Sequence, residues 1–139
     1  MIGFFGVDFF VVPEGGRERV YLAEINLRVG GTTHPFGMAS LVTDGRYDAA
    51  GGHLVAGGRA KSYLATDNLK SPALVGRHPQ EVIDQVDRLG LGYDHRGRTG
   101  TTMHLLGALR EYGKMGVTCI GDSEEEARER YREVVAVLG

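Results

Sequence analysis

The chain has a single cysteine, Cys119, so no internal disulfide can brace it, and a reducing compartment fits. No apolar run approaches the roughly 18 residues that a membrane-spanning helix needs, and no basic segment leads into an apolar one at the start. An excess of basic charge is missing too. Lys and Arg total 16 against 18 Asp and Glu, a net charge of -2, so the electrostatic footprint of a nucleic-acid binder is absent. Only three lysines occur, Lys61, Lys70 and Lys114, and there is no internal repeat or low-complexity segment. These absences lead us to expect a soluble, cytoplasmic protein with neither membrane nor nucleic acid as a partner. What is abundant is glycine, 22 of 139 residues, which implies many tight turns joining short elements. The length suits a single domain over residues 1–139 with a modest core.

The most informative stretch runs from Leu22 to Pro35. Side chains on a strand alternate between faces, so Glu24, Asn26 and Arg28 point the same way, each roughly 6.5–7 Å from the next. A carboxylate, an amide oxygen and a guanidinium thus form one row. Hard cations such as Mg²⁺ take oxygen ligands and share phosphate oxygens with the protein, while an arginine beside them holds an anionic group. The row therefore points to phosphate chemistry.

Upstream, Met1 to Val12 is nearly unbroken apolar sequence, expected as a central strand covered on both faces, with Asp8 its one charge. Pro13-Glu14-Gly15-Gly16-Arg17 is turn chemistry, and Arg19 to Arg28 makes the second strand of an antiparallel hairpin. Whether Asp8 joins the Glu24 row depends on the turn. An odd loop, for instance residues 15–17, puts them on one face. A two-residue Gly15-Gly16 turn pairs Asp8 with Ala23 and turns it away, unless a bulge restores the phase.

After Gly30-Gly31, the sequence Thr32-Thr33-His34-Pro35 reads as a helix start. A short helix over Phe36 to Val42 follows, with Met38, Leu41 and Val42 inward. Free amides beside glycines at that point would attract an anion. Thr43 to Gly58 reads as a glycine-rich loop and Arg59 to Leu64 as a strand. Asp67-Asn68 with Ser71-Pro72 marks a turn. His78 to Leu89 is an amphipathic helix stopped by Gly90, with Val82, Ile83, Val86 and Leu89 on its apolar side. Thr101 to Leu109 and Val117 to Ile120 read as strands, with a helix as the alternative for the first. Ser123 and Glu126 form a capping box for a helix to Leu138, whose buried stripe is Ala127, Tyr131, Val134, Val135 and Leu138. Glu124-Arg128 and Glu126-Arg130 lie four apart on its wet face. The other histidines, His53, His78, His95 and His104, lack zinc-site spacing. Arg59, Lys61, Asp67, Arg96 and Arg98 are possible substrate contacts without a fixed role.

Gly6-Val7-Asp8-Phe9-Phe10, a glycine turn and then Glu24-Ile25-Asn26-Leu27-Arg28 resembles the metal-binding hairpin of the ATP-grasp ligases. Extended through Val29-Gly30-Gly31-Thr32-Thr33-His34-Pro35, it looks closer still to peptide ligases of the pheganomycin-biosynthesis type. Tyr112-Gly113-Lys114-Met115-Gly116 and Gly121-Asp122-Ser123 are similar to the end of those enzymes. The resemblance implies an α+β fold, the C-terminal portion of ATP-grasp: a mostly antiparallel sheet led by the N-terminal hairpin, with about three packed helices. Residues 1–44 would be the metal-binding hairpin and short helix, and residues 45–139 a C-terminal subdomain. It also implies ATP as co-substrate and Mg²⁺ or Mn²⁺ held by Asp8, Glu24 and Asn26. Arg28 would be the catalytic residue, stabilising charge on an acyl phosphate. Gly30, Gly31, Thr32, Thr33 and His34 would bind phosphate or an amino-acid or peptide substrate. Such ligases keep their adenine pocket and phosphate-gripping lysines upstream of this hairpin, where this sequence has only residues 1–7. The expectation is therefore a metal- and substrate-binding portion with little or no activity alone, partnered by a missing N-terminal half and prone to self-association. The contrasting expectation is a non-catalytic dimerisation or partner-binding module on the same scaffold.

Overall fold

The computed structural model describes residues 3–139, so Met1 and Ile2, the start of the expected first strand, lie outside it. The chain divides into two compact units, Met1–Phe36 and Gly37–Gly139. The fold is α+β with antiparallel sheets.

In the first unit, β1 (Gly6–Glu14) and β2 (Arg17–Asn26) form a two-stranded sheet of their own. Gly15 and Gly16 close it with φ of 58° and 79°, the left-handed pair that a two-residue hairpin turn requires and glycine supplies without strain. The expectation of a covered central strand is corrected here: Phe9 is 60% and Phe10 50% exposed. An apolar run reports what a strand can bury, not which layer lies over it.

Helix α1 (Thr33–Thr43) leads into the second unit. It begins earlier than its apolar residues suggested, and its buried residues are Ala39 and Thr43, whereas Leu41, expected inward, is 78% exposed. The expected loop at 43–58 is also corrected, because it contains β3 (Arg46–Asp48) and β4 (His53–Ala56). Asp48 shapes the turn between them: Oδ1 accepts from the Ala50 amide at 3.0 Å and its carbonyl from Gly52 at 2.8 Å. Strands of three and four residues carry too little alternation to read, and they exist because β5 (Arg59–Lys70) offers a long template. Asp67-Asn68 is not a turn but lies where the pairing of β5 shifts between Thr66 and Leu69.

The second sheet runs β3-β4-β5-β7-β6, with β6 spanning Gly100–His104 and β7 Lys114–Gly121. The expected strand from Thr101 to Leu109 stops at His104, because Leu105 takes a left-handed φ of 55° and the chain coils into a 3-10 turn and α3 (Leu109–Tyr112). Strand β7 lies second from the edge and is buried on both faces. Met115, Val117 and Cys119 meet Val82 and Val86 of α2 (Pro79–Arg88) and Val134 and Leu138 of α4 (Glu124–Leu138). Ile120, of opposite parity, packs with Leu54 and Ala39.

Helix starts follow the sequence closely. His78 Nδ1 accepts from the Gln80 amide while Glu81 Oε2 accepts from the His78 amide, at 3.2 Å each. Ser123 Oγ accepts from the Glu126 amide at 3.1 Å, but Glu126 turns its carboxylate to the Asp122 amide instead of closing the box. Leu89, expected on the apolar side of α2, lies beyond its last turn and is 54% exposed. Tyr131 and Val135 pack at the border of the α4 stripe.

Candidate functional site

The site is built by the register of the hairpin. From the turn to Phe9↔Leu22, partners follow the two-residue closure: Glu14↔Arg17, Val12↔Arg19, Phe10↔Tyr21. The Phe10 and Tyr21 rings stack at 5.4 Å, Tyr21 Oη donates to Glu14 at 3.2 Å, and Arg19 Nε lies 3.1 Å from the same carboxylate. The pairing then slips by one residue. Asp8 pairs with Glu24, Val7 with Ile25 and Gly6 with Asn26, leaving Ala23 without a partner. A bulge thus restores the phase that the two-residue turn would have lost. Asp8, Phe10, Tyr21, Glu24 and Asn26 share one face, while Val7, Phe9, Val11, Val20, Leu22 and Ile25 make the other, which is wholly apolar at these positions.

Asn26 Nδ2 donates to Asp8 Oδ2 at 3.1 Å. Both residues, with Gly6 and Arg28, line a cleft of about 300 Å³. The rest of its wall is Gly30, Gly31, Thr32 and Thr33. This turn holds itself: the Gly30 amide donates to Thr33 Oγ1 at 3.2 Å and the Thr33 amide to the Gly30 carbonyl at 3.1 Å. Seven of the nine residues singled out from the sequence therefore meet in one cleft. Glu24 stands opposite Asp8 on the same face but is not part of the wall, and His34 lies exposed in the first turn of α1. Gly6 was not anticipated. Its signal was its position two residues before Asp8, opposite Asn26, where a side chain would stand beside the amide.

The donor set suits a hard cation in chemical type, with two carboxylates and an amide oxygen. Among the described residues no group of three or more His, Cys, Asp or Glu is placed to hold a metal ion, so any ion here takes the amide, water or a ligand's own oxygens as well.

A second polar cluster lies in the other unit. Lys61 is buried, with its Nζ bonded to Asp122 and, at 2.9 Å, to the Gly97 carbonyl. Arg59 reaches the same carboxylate at 3.0 Å. These bonds hold the Asp122 carboxyl below its ordinary value, the Lys61 hydrogen bond first. Glu126 is lowered likewise by Arg130, whose guanidinium also reaches Thr99 at 3.3 Å. Arg98 donates to the Thr43 carbonyl and Tyr93 to that of Val42, tying the end of α1 to this loop. The Asp94 carboxyl is lowered by the amides of Gly97 and Arg96. Arg59, Lys61 and Arg98 are thus engaged in holding loops together.

Residues 81–134 match the family model described as the PGM1 C-terminal domain. Over 137 residues, 98% of this chain, the sequence is 34% identical to L-propargylglycine--L-glutamate ligase of Streptantibioticus cattleyicolor. In this the chain is similar to an ATP-grasp peptide ligase. It spans 28% of the length of that ligase. No solved structure matches it. The mostly antiparallel α+β architecture described above is consistent with a C-terminal portion of such a ligase.

Proposed function

We propose that this chain is the metal- and substrate-binding portion of an ATP-dependent carboxylate–amine ligase that forms a peptide or amide bond. The observation that carries the reading is the convergence of Asp8, Asn26 and Arg28 on one cleft, with Glu24 directly opposite Asp8. Asp8, Glu24 and Asn26 would hold Mg²⁺ or Mn²⁺, which supplies charge neutralisation on the ATP phosphates when bound. In the reaction served, a carboxylate oxygen bonds to the γ-phosphorus as ADP leaves. The amine nitrogen then bonds to the acyl carbon, phosphate leaves, and the amine gives up a proton. Arg28 directs its donors to the charge that builds on oxygen, a role in which fixed donors act strongly. Gly30, Gly31, Thr32 and Thr33 supply amides and hydroxyls for phosphate or a substrate carboxylate, and His34 makes substrate contact at the rim.

The portion works with an upstream half on the same or a separate chain, and alone has little or no ligase activity. Among the described residues lining the cleft the one cation is Arg28, so an upstream half would supply further cationic grip on the ATP phosphates. The apolar hairpin face, with Val20 64%, Phe9 60% and Leu22 56% exposed, is the surface such a half would cover, and uncovered it would drive self-association. No helix among the described residues is long and apolar enough to cross a membrane, in keeping with a cytoplasmic ligase.

Calorimetric titration with Mn²⁺ and ADP tests the reading. Heat that disappears in Glu24→Ala and in Asp8→Ala is expected; no heat from the parent, or equal heat from all three, overturns it. That same exposed face also favours a second reading, a non-catalytic partner-binding module. Full ligase activity of Asp8→Ala and Glu24→Ala when joined to the upstream half would establish it.

A further inference from the structure

Resting on that reading of the site, we propose that Ala23 is its positioning residue, and that the bulge at Ala23 selects which of two hairpin registers forms. The Gly15-Gly16 turn and the contacts of Phe10, Tyr21, Glu14 and Arg19 fix the pairing as far as Phe9↔Leu22. Continued without a bulge, that ladder would pair Asp8 with Ala23, Val7 with Glu24 and Gly6 with Ile25. A one-residue slip reverses every side chain beyond it. Glu24 and Asn26 would then stand among Val7, Phe9 and Leu22 on the apolar face, and Ile25 would occupy the face of Asp8. The observed register, Asp8↔Glu24 and Gly6↔Asn26, instead gathers all three oxygen-bearing side chains on one face and returns Ile25 to the apolar one. The bulge is thus the switch between a formed and a dismantled site. Ala23 fits this role because an unpaired residue with only a methyl group asks for no room on either face.

Cross-strand disulfides separate the two registers without touching Asp8, Glu24 or Asn26. Val7→Cys with Ile25→Cys closes the observed register, and Gly6→Cys with Ile25→Cys closes the unbulged one. Cys119 is buried and stays out of the exchange. Mn²⁺ binding is followed by the loss of the free-ion electron paramagnetic resonance signal, which does not depend on ligase activity. The Val7/Ile25 lock is expected to bind as the parent does, oxidised or reduced. The oxidised Gly6/Ile25 lock should bind about tenfold or more weakly than the same variant reduced, which carries the same added side chain in the cleft wall; that factor corresponds to losing one ligand contact of ordinary strength. The proposal is overturned if the oxidised Gly6/Ile25 lock binds like its own reduced form, or if that pair cannot be closed at all while the Val7/Ile25 pair closes. Absence of Mn²⁺ binding in the parent would instead overturn the reading of the site itself.

Discussion

Across the hairpin, Asn26 Nδ2 donates to Asp8 Oδ2 at 3.1 Å. Each side chain holds the other in place, and because Asp8 is exposed, neither contributes much to folding. Asp8→Asn should therefore weaken Mn²⁺ binding by about tenfold or more, about 1.4 kcal/mol, while leaving the melting temperature unchanged. Calorimetry and thermal denaturation on the same samples check both halves.

Lys61 makes a contrasting case, with its side chain 2% exposed and that of its partner Asp122 33% exposed. Lys61→Met removes one member of the pair and leaves Asp122 with only Arg59, so the 94–97 turn loses its anchor at Gly97. Breaking a buried pair costs several kcal/mol, and the partial exposure of Asp122 reduces this to about 2 kcal/mol in urea unfolding. Hydrogen exchange at Arg96 and Gly97 should rise in the same variant.

Asp122 and Glu126 both have carboxyls held below their ordinary values, by Lys61 and by Arg130 respectively. A depressed folded value gives stability that is fully present above the unfolded value and is lost as pH falls through the folded one. Unfolding free energy should thus be insensitive to these groups near neutrality and decline below about pH 4. Asp122→Asn should flatten that decline, and a series of urea denaturations from pH 6 to pH 2.5 measures it.

Gly100 has φ of +118°, and a Cβ there would lie 2.3 Å from the Gly92 carbonyl oxygen. Backbone strain and a backbone clash combine in Gly100→Ala, so a loss of about 2–3 kcal/mol is expected. Gly37→Ala is the control, since nothing lies within 4 Å of the added carbon and its φ is ordinary. It should be neutral or slightly stabilising in the same denaturation assay.

The amino-acid order alone placed the hairpin's glycine turn, though not its length, the starts of α2 and α4, and Glu24 and Asn26 on one face, because each is written in neighbours a few residues apart; Arg28, expected on the same strand, lies beyond its end at Asn26. The order also stated the phase problem of Asp8, but not its answer. A bulge costs one unpaired residue and returns a sorted polar and apolar face, and only the paired strands reveal which term wins. Tertiary structure likewise decided that β3 and β4 exist, that Leu41 faces out, and that Lys61 is locked to Asp122 across sixty residues of chain. Short strands, helix orientation and long-range ion pairs depend on partners brought near only by folding, so no local pattern encodes them.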